Sequence, residues 1–203
     1  MVVLRGYRDD DLPALYDICL TTGASGQDAT DQHSDPALVG HIYAAPYGVL
    51  QPEWAMVAED ELGVAGYIVG TPDSNGFAAL LERAWWPALR QRYASPSTAW
   101  TPADRQRLAA ISRPEINPAH IVSAYPAHIH MNLRSRLRGQ GVGTGLLQRW
   151  IGQARAAGVP GIHLGANASN AGGIAFWQRS GFEPIETIGR TVWMGMRLDT
   201  PAA

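Results

Sequence analysis

Apolar and polar positions divide this chain into runs that can be read one element at a time. Val2 to Tyr7 has the pattern of a first strand, and Asp9, Asp10 and Asp11 offer an N-cap and negative charge at a helix start. Leu12, Leu15, Tyr16 and Cys19 then recur at helical spacing as one apolar stripe, broken by the polar run from Thr21 to Gly26. A polar loop continues to Ser34. Asp35 and Pro36 open a short helix with Leu38, Val39 and Ile42 inside, proline being tolerated in a first turn where its missing N–H has no partner. Glu53 to Glu59 and Val64 to Gly70 flank the turn Asp60, Glu61, Leu62 and Gly63, a hairpin signal that ends at Thr71 to Gly76.

Helical character follows over an insert from about residue 72 to about residue 120. Its first helix runs from Phe77 to Arg83 and on through Trp85 and Trp86 to Tyr93. Pro87 is expected to break or kink it, since an interior proline loses a hydrogen bond and clashes with the preceding turn. A second helix starts at Thr101 to Asp104, buries Leu108 and Ile111, and ends at Pro114. Trp85, Trp86, Tyr93 and Trp100 concentrate aromatic rings here. Most are expected to pack the insert onto a sheet, with one or two facing an acceptor site.

Tyr125 and Pro126 lead into the stretch that organises the rest. Ile129, Met131 and Leu133 alternate with His130 and Asn132, the period-2 pattern of a strand with two different faces. Arg138 to Gly143 places Gly139, Gly141 and Gly143 within one turn. Leu146, Leu147, Trp150, Ile151 and Ala154 follow at helical spacing until Gly158 and Pro160. Strand, glycine turn and helix together leave backbone N–H groups facing outward at a helix N-terminus, a site suited to a pyrophosphate. Neither Gly139 nor Gly141 starts a Gly-x-Gly-x-x-Gly dinucleotide fingerprint, and no lysine completes a P-loop. Gly161 to Gly165 reads as a short strand. Glu183 to Ile188 and Thr191 to Leu198 read as a closing hairpin around Gly189 and Arg190, and Thr200 to Ala203 as a tail. With no repeat and no linker, the expected organisation is one domain, 1–203, carrying the helical insert.

At 203 residues, with 46% hydrophobic and 17% charged residues, the chain has the composition of a globular protein able to bury a full core. A net charge of −2 without a basic run leaves no electrostatic footprint for nucleic acid. Asp9 to Asp11, the longest like-charge run, reads as a solvated helix start. Cys19 is the single cysteine, so no internal disulfide forms and a reducing compartment is expected. Met1 to Leu20 has no apolar signal region and no run reaches membrane-spanning length, so a cytoplasmic protein without membrane partners is expected. A zinc site built on His128 and His130 would need more ligands than the sequence places nearby, so no metal is expected.

Two segments resemble a known family. Arg138, Gly141 and Gly143 satisfy Arg/Gln-x-x-Gly-x-Gly/Ala, which resembles the pyrophosphate loop of the GNAT N-acetyltransferases. Asn170 to Phe182 resembles the family's later signature, Asn-x-x-Ala-x-x-Phe-Tyr-x-Lys-x-Gly-Phe, with Gly173 in place of alanine and Trp177 in place of tyrosine. Gly66 to Thr71, the aromatic insert and Tyr125 to Asn132 extend the likeness to the C-terminal acetyltransferase-like domain of animal O-GlcNAcases. The chain resembles a stand-alone bacterial relative, its Ala-, Gly- and Arg-rich composition suggesting a high-GC genome.

The resemblance implies an α/β (α+β) GNAT fold: a central mixed, mostly antiparallel sheet flanked by helices, with the helical insert before the central strand. It implies an acetyl-CoA-dependent N-acetyltransferase acting on an amine of a small molecule or peptide. The alternative is a catalytically weak or inactive CoA-binding module with a regulatory or recognition role; histone-type acetylation ranks last, because no acidic stripe is present for a basic tail. Met131 and Leu133 would pair with the pantetheine arm and offer oxyanion donors. Gly139, Gln140, Gly141, Val142, Gly143 and Thr144 would hold the pyrophosphate, with Arg138 adding a charged contact. Asn170, Phe176, Trp177 and Arg179 complete the expected cofactor contacts. His130 near its ordinary pKa of ~6.5, Asn132 and Tyr125 are the candidates for catalysis. Trp177 stands where the family commonly has a thiolate-protonating tyrosine, and an indole N–H cannot surrender a proton at neutral pH. The loop after the first strand, with Asp28, Asp31 and His33, is expected to line the acceptor groove. The expected partners are acetyl-CoA, an unidentified amine and, as an option, a second copy in a homodimer.

Overall fold

A computed structural model describes residues 1–198. Seven strands form one sheet in the order β1-β2-β3-β4-β5-β7-β6, where β1 is Val3–Gly6, β2 Ala55–Asp60, β3 Gly63–Thr71, β4 Ala127–Leu133, β5 Gly161–Asn167, β6 Glu183–Ile188 and β7 Thr191–Arg197. Every neighbouring pair is antiparallel except β4 and β5. The expected mixed, mostly antiparallel sheet flanked by helices is therefore present.

Alternation along the strands creates two apolar layers. On one face, Ile68 and Ile129 pack with Leu146, Leu147 and Trp150 of α8 (Val142–Ala156) and with Trp177 of α9 (Ala171–Arg179). On the other, Val57, Tyr67 and Val69 pack with Leu15, Ile18 and Cys19 of α1 (Leu12–Thr21), Tyr47 of α3 (Ala45–Leu50) and Phe77 of α4 (Ser74–Ala84). Trp150 is wholly buried, and its indole N–H donates to the Trp54 carbonyl at 3.1 Å. It lies so close to β3 that a Cβ on Gly70 would come within 2.9 Å of its ring. Among the described residues no helix is long and apolar enough to cross a membrane.

The α1 stripe forms as the spacing predicts, but the aspartate run does not simply face solvent. Asp9–Asp11 makes a 3₁₀ turn, and Asp11 is buried against Arg5 at 2.6 Å. Burial raises the Asp11 pKa, but the Arg5 hydrogen bonds and the Arg8 amide outweigh it and hold the carboxyl below its ordinary value. The helix expected from Asp35 is α2 (Leu38–Tyr43), and a second short helix, α3, follows a break at Ala44 that the pattern did not indicate.

The insert leaves β3 and returns at β4 as α4, α5 (Trp86–Arg92), α6 (Pro102–Ser112) and α7 (Ala119–Ala124), the last also unforeseen. Asp73 caps α4 by accepting from the amides of Asn75 and Gly76 at 3.1 and 3.0 Å. The helix breaks at Trp85, and Pro87 sits in the first turn of α5, the position its ring tolerates. The tryptophans do not pack the insert onto the sheet. Trp86, Leu89 and Ile111 bury a small core of their own against Leu38 of α2, with Trp85 at its edge donating to the His41 carbonyl at 2.9 Å. Trp100 stays half-exposed. Phe77 of α4 reaches the sheet, whereas α5 and α6 close their apolar surface on each other and on α2.

Candidate functional site

The parallel pair β4 and β5 is joined through Ala127 with Ile162 and His128 with His163, and their pairing ends there. Beyond it the strands diverge, while β4 stays paired to β3 as far as Leu133. Arg134 donates its amide to the Ala65 carbonyl of β3 at 2.9 Å. Alternation along the strand then turns the amides of Met131 and Leu133 away from β3, into the gap. These are strong backbone donors without a strand to receive them.

The loop after β4 meets this gap. From Gly139 through Thr144, none of six successive backbone amides has a hydrogen-bond acceptor among the described residues; the first helical bond of α8 runs from Gly145 to Gly141. Gly139 and Gly141 adopt left-handed φ of 74° and 75°, which turns the loop so that consecutive N–H groups converge. A Cβ on Gly141 would meet only open space. Gly143 is different: a Cβ there would lie 3.1 Å from Leu133 and 3.5 Å from both Met131 and Phe176, so glycine lets α8 approach β4 and α9. This N-terminus of a 15-residue helix, with free amides and no acidic side chain in its first turn, is chemically suited to a pyrophosphate. Arg138 holds the loop in place. Its Nη2 donates to the Gly26 carbonyl at 2.6 Å and its Nε to the Leu133 carbonyl at 3.2 Å. Gln140 donates back to the Arg136 carbonyl at 2.7 Å. Both side chains are thus occupied with backbone, and the loop's amides are left to meet an anion.

On α9, Asn170 is the N-cap, accepting from the Gly173 amide at 3.0 Å. An alanine Cβ at 173 would stand 2.5 Å from the Asn170 side-chain amide, so alanine there requires that amide to shift. Phe176, Arg179 and Thr144 line a groove of about 260 Å³ between α8 and α9 that opens beside the amide cluster. A larger concavity of about 440 Å³ lies among β1, β2 and α8 around Arg5, Tyr7 and Arg149, away from the divergent strands.

The opposite face of β4 carries His128, His130 and Asn132, and here a chain of hydrogen bonds fixes every proton. Ser74 Oγ lies 2.6 Å from the Pro126 carbonyl and 2.7 Å from His128 Nδ1. A carbonyl only accepts, so Ser74 donates to it and His128 Nδ1–H donates to Ser74. His128 Nε2 then accepts from the Tyr47 hydroxyl at 2.7 Å, and Tyr47 in turn accepts from His130 Nε2–H at 3.1 Å. His130 Nδ1 is left as a lone pair. It has no partner among the described residues and is not one of the sealed unpartnered atoms, so it keeps some accessible surface. Burial pushes the His130 pKa down to about 4, helped by His163, and burial with the neighbouring His130 and His163 drives His128 well below its ordinary value. The expectation of a histidine titrating near ~6.5 is therefore corrected: buried imidazoles without a carboxylate partner stay neutral.

Comparison with known proteins gives the family. The profile of the Acetyltransferase (GNAT) family matches residues 42–182. The chain belongs to the GNAT acetyltransferase family. It is 23% identical over 180 residues to Protein O-GlcNAcase of Rattus norvegicus and of Mus musculus, a match covering 88% of this chain but only 20% of each of those proteins. The chain thus spans about a fifth of the length of the curated relatives it matches. The crystal structure of SsHAT superposes with a TM-score of 0.90 at 34% identity, covering 98% of this chain and 99% of that one. YncA of Salmonella typhimurium, a putative acetyltransferase with its cofactor acetyl-CoA, shares the fold at a TM-score of 0.57 and 16% identity, over 100% of this chain and 96% of that one.

Several residues of this GNAT chain do not stand where the sequence suggested. Trp177 is 8% exposed, edge-on to Phe176 and Phe182 in the core. Its ring fills the space under α9, because a bulky apolar indole gains more from burial there than from the cleft. Tyr125 lies at the closed end of β4, its ring over Gly161 and Gly195 and beneath the Arg197 guanidinium at 5.3 Å. Five residues of strand, about 16 Å, separate it from His130, too far to share one reacting group. The Asn132 side chain accepts from the Tyr67 hydroxyl at 3.1 Å and donates to Thr22 at 2.6 Å, which makes it a brace between β3 and α1.

The loop carrying Asp28, Asp31 and His33 is also tied down. Asp28 caps Thr30, Asp31 is exposed, and His33 Nδ1 bonds Asp104 of α6 at 2.9 Å. Burial raises the Asp104 pKa, but hydrogen bonds from the Ser34 hydroxyl, the amides of Thr101 and Ser34, and His33 prevail and hold it well below the carboxylate range. Sequence reasoning missed Tyr47, Ser74, Tyr43 and Arg107. Only their aromatic or polar type, in segments already assigned to the acceptor side, could have drawn attention to them. Among the described residues no group of three or more His, Cys, Asp or Glu side chains is placed to hold a metal ion.

Proposed function

We propose that this GNAT chain is an acetyl-CoA-dependent N-acetyltransferase for an amine, with its cofactor half at the divergence of β4 and β5. The observation that carries this reading is the run of six unpartnered amides, Gly139 to Thr144, at the start of α8. Bound there, acetyl-CoA supplies a thioester whose acyl carbon is open to an amine. The amides of Gly139, Gln140, Gly141, Val142, Gly143 and Thr144 hold the pyrophosphate, and the groove lined by Phe176 and Arg179 receives the part beyond it. Met131 and Leu133 amides, directed into the gap, bind the pantetheine arm or a developing oxyanion.

His130 Nδ1 is the acceptor for the amine's proton. Tyr47, His128 and Ser74 are positioning residues that hold its tautomer. A base pushed down to about 4 is weak, so its contribution is to orient a neutral amine and take its proton as the new bond forms. With Trp177 buried and Tyr125 remote, solvent is left to protonate the departing thiolate, whose pKa near ~8.5 makes that step undemanding.

The second reading, CoA binding without catalysis, draws on that same absence of a side-chain acid. Calorimetric titration with CoA and acetyl-CoA, followed by turnover over a broad amine panel, separates the two. Binding with turnover supports the enzyme, and binding without turnover of any amine supports the module. A protein that binds neither ligand defeats both.

A further inference from the structure

The acceptor side contains a cation with half of its hydrogen-bonding edge unused. Arg107 projects from α6 of the insert toward β4. Its Nη1 donates to the Tyr43 hydroxyl at 3.0 Å, and its guanidinium lies 5.4 Å from the Tyr43 ring centroid. Its Nε is buried and has no partner, and Nη2 has none among the described residues. Arg107 forms no ion pair with any described carboxylate, unlike Arg5, Arg90, Arg134 and Arg136. Glu115, whose charge is felt at Tyr43, does not reach it. A half-buried guanidinium with a sealed, unpaired N–H is costly, since that donor has lost water and gained nothing.

The unused edge has a definite chemistry. Nε and Nη2 are the two parallel donors with which an arginine grips a carboxylate side-on. Arg136 uses this same edge on Asp60, at 2.7 and 3.2 Å. In Arg107 the Tyr43 hydroxyl occupies Nη1 and Nε is sealed, so Nη2 is the donor left for a ligand. Tyr43 also links the cation to the proposed base, since its ring stands edge-on to His130 with centroids 5.6 Å apart. Arg107 and His130 both flank this one tyrosine ring, the guanidinium 5.4 Å and the imidazole 5.6 Å from its centroid, so at most about 11 Å separates them.

We propose that Arg107 recognises an anionic group on the acceptor, making the substrate class an amine that carries a carboxylate a few bonds from its reactive nitrogen, such as an amino acid or a short ω-amino acid. This rests on the acetyltransferase reading above and assigns its substrate. The carboxylate pairs with the guanidinium through Nη2, and the amine is thereby held toward His130 Nδ1. Insert and sheet each contribute one end of the site, which gives α6 a role in specificity.

The test uses the full chain with acetyl-CoA and matched amine pairs: glycine, β-alanine and 4-aminobutyrate against their primary amides. The carboxylates should be preferred at least ~10-fold in kcat/KM for at least one spacing. Arg107→Met, which keeps the aliphatic bulk, should reduce that preference below ~3-fold through KM, and Arg107→Lys should restore part of it. Thermal melting and the CoA dissociation constant of both variants confirm that fold and cofactor half are intact. Direct titration of the same carboxylates into wild type and Arg107→Met, without acetyl-CoA, separates this inference from the parent reading. Arg107-dependent carboxylate binding without any turnover would support the anion site and sink the enzyme. Turnover with no carboxylate preference, or a preference that survives in Arg107→Met, would overturn the inference and leave the enzyme standing. If neither turnover nor Arg107-dependent binding is found, both are wrong.

Discussion

Replacing Gly141 by aspartate tests the cofactor half directly, because the structure separates the two effects of the change. Gly141 has a φ of 75°, so any side chain there adds backbone strain of about 1 kcal/mol. That strain is present with and without ligand, so it lowers stability by about 2–4 °C in Tm and leaves affinity nearly untouched. A Cβ at 141 meets nothing within 4 Å, so no steric clash with the protein confuses the result. The carboxylate, however, sits amid six amides that have no other acceptor. It competes for those donors and repels a pyrophosphate; at ~5 Å and an effective dielectric between ~40 and ~80, one pair of unit charges costs about 1–2 kcal/mol. Affinity for CoA should fall at least ~10-fold, equivalent to about 1.4 kcal/mol. Gly141→Ala carries the strain without the charge and should bind CoA within ~3-fold of wild type. Calorimetric titration of all three proteins, with melting curves beside it, is the assay. Unchanged affinity in Gly141→Asp would refute the assignment of this loop to the pyrophosphate.

Two further outcomes follow from the buried face. His130 and His128 are neutral in the fold and protonate more readily when unfolded, so their stabilisation is complete above about pH 6.5 and is lost as the pH falls toward the folded values. With its pKa pushed down to about 4, His130 alone should cost about 2 kcal/mol of stability by pH 5. His41 and His163, both lowered by burial, act in the same direction. Melting curves should therefore show Tm dropping by at least about 5 °C between pH 7.5 and pH 5, and a flat Tm over that range would show that these imidazoles are not buried neutral. Trp177→Tyr should not restore an acid, because the ring packs in the core. It should lower stability by about 1–3 kcal/mol through lost packing and a buried hydroxyl, with turnover no higher than wild type. A rise of ~10-fold in turnover at undiminished stability would place residue 177 at the thioester instead.

Local chemistry alone pointed to the proposed cofactor half. The glycines at 139 and 141 announce a turn only left-handed backbone can make, and the apolar spacing after them announces a helix whose first amides must lack partners. Those are properties of consecutive residues, so they survive without knowledge of the rest of the chain. Alternation along β4 likewise put His128, His130 and Asn132 on one face. It did not say what covers that face, because a period of two is silent about neighbours. Tyr47 and Ser74 reach it from elements far away in the chain and decide which His130 nitrogen is free, while burial, helped by His163, keeps the ring neutral. The same limit hid the end of pairing between β4 and β5, a matter of register between strands some thirty residues apart. It also hid the burial of Trp177 and the packing of Trp85 and Trp86 against α2 instead of the sheet. Sequence names the residues able to do chemistry, whereas burial and proximity, which set their charge and their partners, come into being only when the layers pack.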